Sequence, residues 1–122
     1  MVLTSALEDY LKVILELNHD IRTVRVPDIA DKLDVTKATV SRTLNKLIAM
    51  GLVTKQKYGT VRLTDSGKAE AANIKKRNLV IKNFLMQVLG VDRKVSEIDA
   101  CQMEHMLSPQ TIERLEAFLS AK

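Results

Sequence analysis

The stretch TKATVSRTLNKLIAMG, residues 36–51, constrains the fold of this chain most strongly because it marks both the ends and the faces of one helix. Thr36 is a residue type favoured at helix N-caps, and Gly51 is a type favoured directly after the last turn. Between them, apolar residues recur at helical spacing and predict one buried face. Those positions are Val40, Leu44, Leu47 and Ile48.

The segments on either side of this helix predict its context. Residues 4–17 carry an amphipathic pattern typical of a first helix, and VRVPDIADKLDV predicts a second helix with Pro27 in its first turn. After the glycine, residues 53–57 and 61–63 predict two short strands joined by the turn YGT. Helix, helix, tight turn, helix and β-hairpin in this order are typical of a winged helix-turn-helix.

The rest of the chain predicts helices only. One long helix is expected at about residues 65–89, a second at about residues 92–107, and a third that begins at Ser108-Pro109. These helices carry more apolar residues than a segment of this size could bury alone, which predicts a two-fold homodimer. The predicted fold class is mainly α, with a winged helix-turn-helix domain at residues 1–64 and a helical dimerisation domain at residues 65–122.

Charge is unevenly distributed along the chain, whose net charge is +4. Residues 36–64 hold six basic side chains and no acidic one, whereas residues 92–122 hold six acidic and four basic ones. An acid-free helix followed by an acid-free hairpin favours a polyanionic partner, here double-stranded DNA. The alternatives are a solvated basic face and a winged helix that binds another protein. The residues predicted to contact DNA are Thr36, Lys37, Thr39, Ser41, Arg42, Lys46, Lys55, Lys57 and Arg62.

Several features bear on the compartment. The N-terminus carries Glu8 and Asp9 and lacks the basic segment of a secretory signal, and no 18-residue apolar run predicts a membrane span. A single cysteine cannot form an internal disulfide, which favours a reducing compartment. We therefore expect a cytoplasmic protein that does not act at a membrane.

The segment DACQMEHML places a thiol, a carboxylate and an imidazole within five residues, at Cys101, Glu104 and His105. On a helix these positions share one face. Taken alone, the cysteine is typical of a small core residue and the Glu-His pair of an exposed surface. A nucleophile–base pair is disfavoured because no orienting third group or oxyanion loop accompanies it. We expect a protein that is not an enzyme and has no small-molecule substrate.

Five segments in order resemble the diphtheria toxin repressor / manganese transport regulator family of metal-dependent transcriptional repressors. They are LEDYLKVILEL, VRVPDIADKLDVTKATVSRTLNKLIAMGLV, GTVRLTDSGKAEA, KNFLMQVLGVD and ACQMEHMLS. The resemblance runs from Leu7 to about Leu119. It implies a homodimeric repressor of iron or manganese homeostasis on a pseudo-palindromic operator, in the short form without an SH3-like domain.

The resemblance also implies a metal site. In the family, the positions of Cys101, Glu104 and His105 supply ligands, and the position of Asp9 in the first helix supplies a fourth. Such a mixed donor set suits Mn²⁺ or Fe²⁺, with Co²⁺, Ni²⁺ and Zn²⁺ as alternatives, at one site per chain. Whether Cys101 binds through its sulfur or its carbonyl is left open.

Three residues depart from the family pattern at a second metal position. Lys12, Asn78 and Lys82 stand where members often carry Glu, His and Glu. Ammonium groups repel a cation and cannot ligate it, so we expect this second position to be lost. The alternative function is a winged-helix regulator with altered metal control, either constitutive or responsive to thiol oxidation at Cys101.

Overall fold

The computed structural model describes residues 3–121, and its chain divides into two compact units, Met1–Ala72 and Asn73–Lys122. The predicted fold class, mainly α with a winged helix-turn-helix first and a helical domain second, is confirmed. In chain order, the elements are α1 Ser5–Asp20, β1 Val24–Arg25, α2 Val26–Leu33, α3 Lys37–Ala49, β2 Val53–Lys55, β3 Thr60–Leu63, α4 Asp65–Gln87, α5 Arg93–Met103 and α6 Pro109–Ser120.

The helix-turn-helix of the first unit is defined by its caps. α2 ends at Asp34, whose left-handed backbone (φ 56°) turns the chain, and its N–H donates to the carbonyl of Ala30. Two residues later the Thr36 hydroxyl accepts the N–H of Thr39 at 3.1 Å and caps α3, as predicted. Gly51, with φ +76°, then ends the motif in the conformation that favours glycine.

Aliphatic side chains fill the core of the first unit. The predicted inner face of α3 is fully buried at Val40, Leu44 and Leu47, but Ile48 is 36% exposed. The prediction was wrong for Ile48, which lies at the edge of the apolar stripe. The other fully buried core residues described in this unit are Leu11, Ile14, Val24, Ile29, Leu52, Val53, Val61 and Ala71.

A three-stranded antiparallel sheet in the order β1-β3-β2 forms the wing. β2 pairs Val53 with Leu63, and β1 pairs Val24 with Val61. The sequence did not predict β1 because two residues are too short to show an alternating pattern, and only pairing with β3 defines them as a strand. β2 is also shorter than predicted, because Lys57–Gly59 form a 3₁₀ turn at the tip.

The wing joins α4 through a close backbone contact. The Thr64 hydroxyl donates to the carbonyl of Gly51 at 2.7 Å and accepts the N–H of Gly67 at 3.0 Å. A Cβ atom at Gly67 would overlap the carbonyl oxygen of Leu52. The first turn of α4 therefore lies against the backbone that follows α3, at a distance only glycine permits.

The second unit consists of the rest of α4 with α5 and α6. The predicted cap at Ser108 is present and accepts the N–H of Thr111 at 3.2 Å, and Asp92, which was not predicted as a cap, accepts that of Val95 at 2.9 Å. Ile112 of α6 lies in the core, as predicted, with Leu115 and Leu119 partly buried against it. The buried cluster consists of Val80, Ile81, Leu85, Ala100 and Ile112.

Several large apolar side chains of this unit remain exposed: Leu79 (44%), Leu89 (59%), Val95 (43%), Ile98 (54%), Met106 (82%) and Phe118 (49%). Within residues 3–121, no helix combines the length and the apolar run needed to cross a bilayer. The segments that carry these exposed apolar residues also carry charged residues, so the apolar residues favour a protein partner.

Candidate nucleic-acid interface and metal centre

The outer face of α3 is polar and basic. Lys37, Arg42 and Lys46 are exposed, while Thr39 and Ser41 are half-buried. All of these residues were predicted from the sequence to contact DNA. The N-terminal half of this face offers hydroxyls, a guanidinium and ammonium groups, which are the side chains that bind phosphates and base edges.

A chain of hydroxyl contacts orients Arg42. The Thr36 hydroxyl donates to the Thr39 hydroxyl at 2.9 Å, and the Arg42 guanidinium donates to the same Thr39 oxygen at 3.4 Å. Since the three residues are spaced three apart, they share one helical face. The sequence spacing contained this signal, but the prediction assigned each residue separately. Thr39 therefore lies on the outer face of α3 and also contacts the Arg42 guanidinium, which belongs to the longest side chain of that face.

The wing adds further cations. Lys55, Lys57 and Arg62, all predicted DNA contacts, are exposed. Arg25, which the sequence did not indicate, donates from Nε to the carbonyl of Tyr58 at 3.3 Å. This contact joins residues 33 positions apart, so local sequence patterns could not reveal it.

A groove of about 360 Å³ lies along β3, past the end of the shorter β1. Arg22, Arg62 and Lys68 line it together with the Asn18 amide, and none of its described lining residues is acidic. Arg22 and Lys68 fall outside the acid-free run and were missed for that reason. The groove extends the basic surface of the first unit beyond the wing.

Glu104 and His105 lie side by side in the second unit. Glu104 is fully buried, the His105 side chain is 8% exposed, and His105 Nε2 stands 3.9 Å from Glu104 Oε1. Adjacent ligands of a tetrahedral or octahedral ion with bonds of about 2.0–2.2 Å stand roughly 3.0–3.5 Å apart, so the two atoms would have to approach slightly to share one transition metal.

The sequence predicted that Cys101, Glu104 and His105 share one helix, but His105 does not lie on α5. α5 ends at Met103, with Glu104 as its C-cap, and the N–H groups of Met106 and Leu107 both donate to the Met103 carbonyl in a turn. The predicted helix to residue 107 was too long, because residues 104–106 form a turn after the end of α5. His105 therefore reaches its position from a turn, whereas Cys101 and Glu104 keep helical spacing.

Cys101 is exposed, so it is not a small core residue. Its sulfur accepts a weak hydrogen bond from the amide of Asn78 at 3.7 Å, which places α4 beside α5 at this point. Asn78 is one of the three departures from the family pattern. A neutral amide thus stands next to the thiol where family members often carry an imidazole.

Asp9 lies half-buried on α1 in the first unit. Within residues 3–121, no three His, Cys, Asp or Glu side chains are grouped closely enough to hold a metal ion as they stand. The structure thus brings Glu104 and His105 together, and the four-ligand set remains a prediction. The donors present are an imidazole, two carboxylates and a thiol, a combination that transition metals prefer over Ca²⁺ or Mg²⁺.

A helix-turn-helix, a β wing and a basic recognition helix define a winged-helix DNA-binding protein. Residues 2–61 match the family model for the iron dependent repressor N-terminal DNA binding domain. Residues 64–121 match the model for the iron dependent repressor metal binding and dimerisation domain. The chain belongs to the iron-dependent repressor family, and the resemblance stated from the sequence is confirmed.

Individual proteins agree with this assignment. An uncharacterized HTH-type transcriptional regulator of Methanocaldococcus jannaschii is 32% identical over 96% of this chain and 94% of its own length. The transcriptional regulator MntR of Escherichia coli is 33% identical over 92% of this chain and 72% of its own length. A solved manganese-dependent transcriptional repressor in complex with manganese is 31% identical, with a TM-score of 0.85 over 93% of this chain. This chain spans 52% of that solved chain.

Proposed function

We propose that this protein is a metal-dependent transcriptional repressor that binds a pseudo-palindromic DNA operator as a homodimer. The observation that carries the proposal is the buried Glu104 carboxylate beside His105, in a chain whose first unit presents a basic recognition helix. Similarity to repressors described as manganese-dependent supports it. We place the protein in the cytoplasm, where the operator is, and assign it regulation of iron or manganese homeostasis and no catalysis.

In this proposal α3 lies in the major groove of each half-site. Arg42, held by Thr39, reads base edges, while Lys37 and Lys46 bind phosphates on either side. Lys55, Lys57 and Arg62 bind the backbone from the wing. A two-fold dimer repeats this arrangement on the second half-site, so the operator has matching symmetry.

Glu104, His105 and Cys101 would hold the metal in the second unit, with Asp9 as a fourth ligand from the first. When bound, the ion supplies a positive charge that neutralises the carboxylates and fixes the side chains that ligate it. Since Lys12, Asn78 and Lys82 occupy the family's second position, we propose one Mn²⁺ or Fe²⁺ per chain. The Asn78 amide, already beside Cys101, would orient the thiol.

The test is a DNA-binding titration on duplexes that the protein selects from a random library. Binding is followed by fluorescence anisotropy with Mn²⁺, Fe²⁺, Co²⁺ or Zn²⁺ against a chelated control. Wild type should bind tightly only with metal. Replacing a residue that only hydrogen-bonds to a metal ligand typically costs about 10–100-fold in metal affinity or activity. His105→Ala, which removes a ligand, should therefore lower the DNA affinity measured with metal by at least about 100-fold.

A matched control is available in the other histidine. His19 is exposed at the end of α1, so His19→Ala should respond to metal as wild type does. Circular dichroism should be unchanged in both variants. A wild-type metal response in His105→Ala would remove the metal centre from this segment.

The exposure of Cys101 favours one alternative, a regulator that responds to thiol oxidation. Peroxide treatment of the metal-free protein separates the two. In the metal-dependent repressor, peroxide has no effect on DNA binding without metal. In the redox regulator, peroxide changes DNA binding, and Cys101→Ser abolishes that change.

A further inference from the structure

The tip of the wing holds a residue in an unfavourable position. Tyr58 is 89% exposed, and its backbone is left-handed with φ 67° and ψ 19°. Bulky residues rarely adopt this conformation, which favours glycine or asparagine. The ring contributes little burial to offset the strain, so Tyr58 costs the folded protein stability that a smaller residue would not.

Backbone contacts, rather than the tyrosine ring, maintain this conformation. Arg25 donates to the Tyr58 carbonyl at 3.3 Å, and the N–H of Gly59 donates to the carbonyl of Gln56 at 3.1 Å. The N–H of Gln56 donates to the Thr60 carbonyl at 2.8 Å and closes the hairpin. All of these contacts use main-chain atoms of the tip, so another residue at position 58 would keep them.

The surroundings of the ring indicate what it contacts. Lys55 and Lys57 are exposed on the same hairpin, and the Arg25 guanidinium lies at the Tyr58 carbonyl. Exposed aromatic and cationic side chains on one hairpin are a combination that binds nucleic acid, since the ring packs on the nucleotide while the cations pair with phosphates. Strained residues of this kind concentrate at ligand contacts.

We propose that Tyr58 packs against the sugars of the DNA minor groove that flanks the half-site read by α3. This inference rests on the proposed function and deepens it, because it makes Tyr58 a determinant of affinity outside the major groove. The strained backbone at Tyr58 then has a function. It holds the ring outward before DNA binds, so less ordering is needed on binding.

The chain provides its own optical probe. It has two tyrosines and no tryptophan, and the other tyrosine, Tyr10, is 5% exposed. Tyrosine fluorescence that acrylamide quenches in the free protein therefore comes from Tyr58. Adding a duplex selected from a random library in the presence of Mn²⁺ should protect this fraction from acrylamide.

Substitutions separate the functional role from a structural one. Tyr58→Asn should weaken DNA binding about tenfold while raising the melting temperature by about 2–5 °C. Tyr58→Phe, which keeps the ring, should retain the affinity within about twofold. Hydroxyl-radical footprints should shorten at the flanking minor groove with Tyr58→Asn only.

The outcomes distinguish this inference from the proposed function. Failure of the wild type to select any duplex would remove the proposed function itself. Tight binding with unprotected Tyr58, or with undiminished affinity in Tyr58→Asn, would overturn only the minor-groove contact. A lower melting temperature in Tyr58→Asn would also overturn it, because the ring would then serve the fold.

Discussion

The two units of this chain bury their apolar residues to very different extents. Within residues 3–121, the first unit buries sixteen apolar side chains, whereas the second unit buries six. The second unit also exposes Met106 at 82% and Leu89 at 59%. The first unit thus has a core of its own, and the second has an apolar surface that needs a partner.

This difference in burial matches a difference in role, with DNA reading in the first unit and dimerisation in the second. A DNA-reading surface requires a rigid support, which the buried core beneath α3 supplies. We expect the second unit, by contrast, to cover its exposed apolar residues with a second copy, so dimerisation should add to its stability. The family model that names residues 64–121 a metal binding and dimerisation domain agrees with this reading.

The largest effect should come from removing a core side chain. Leu47→Ala should lower the free energy of unfolding by about 2–5 kcal/mol at every protein concentration, because Leu47 is fully buried. Leu79→Ala, at a side chain that is 44% exposed, should lower the free energy of unfolding more at high protein concentration, where the dimer forms. Urea unfolding at two concentrations checks this, and equal concentration dependence for both variants would contradict the contrast.

A charge on the exposed apolar surface should break the dimer. Ile98→Lys should weaken dimerisation about 100-fold, roughly 2.7 kcal/mol, since an ammonium group would be buried at the interface. Ile21→Lys, at a residue 38% exposed in the first unit, is the matched control and should leave the dimer intact. Sedimentation velocity measures both. A dimer that tolerates Ile98→Lys would place the interface elsewhere.

On the DNA-reading side, Arg42→Ala should cost about 1–3 kcal/mol at a selected duplex and relax base preference. Lys57→Ala should instead weaken all sequences equally and reduce the dependence on salt. Thr39→Val should reproduce part of the Arg42→Ala effect because it removes the hydroxyl that orients the guanidinium. If Arg42→Ala and Lys57→Ala each weaken binding to selected and to random duplexes by the same factor, Arg42 does not read base edges.

The smallest effect should come from a helix cap. Ser108→Ala removes the acceptor for the Thr111 N–H and should cost about 1 kcal/mol, and Thr36→Ala should cost a similar amount. The contrast between units predicts a further difference. Ser108→Ala should also lower dimer affinity, whereas Thr36→Ala should not, and sedimentation combined with thermal unfolding separates the two.

Features determined by local sequence were predictable. The caps at Thr36 and Ser108 and the glycine at residue 51 could be located because each acts within three or four residues of its own position. Features that depend on distant partners were not. β1 exists only through pairing with β3, and the contact of Arg25 with Tyr58 joins two separate segments.

The candidate site divides in the same way. The residue types at Cys101, Glu104 and His105 were visible in the sequence, together with the family resemblance. The end of α5 at Met103 was not, because residues 103–107 contain no glycine or proline that would mark a helix end. The burial of Glu104 and its proximity to His105 required the folded structure.

Two glycines of the first unit should tolerate different sets of substitutions in a saturation mutagenesis library. At Gly51, which has a positive φ and open space around it, asparagine should survive and β-branched residues should disappear. At Gly67 any side chain would meet the Leu52 carbonyl, so every missense codon should be depleted to the same degree, whatever its chemistry. One position filters residues by backbone preference, and the other excludes every residue that has a Cβ atom.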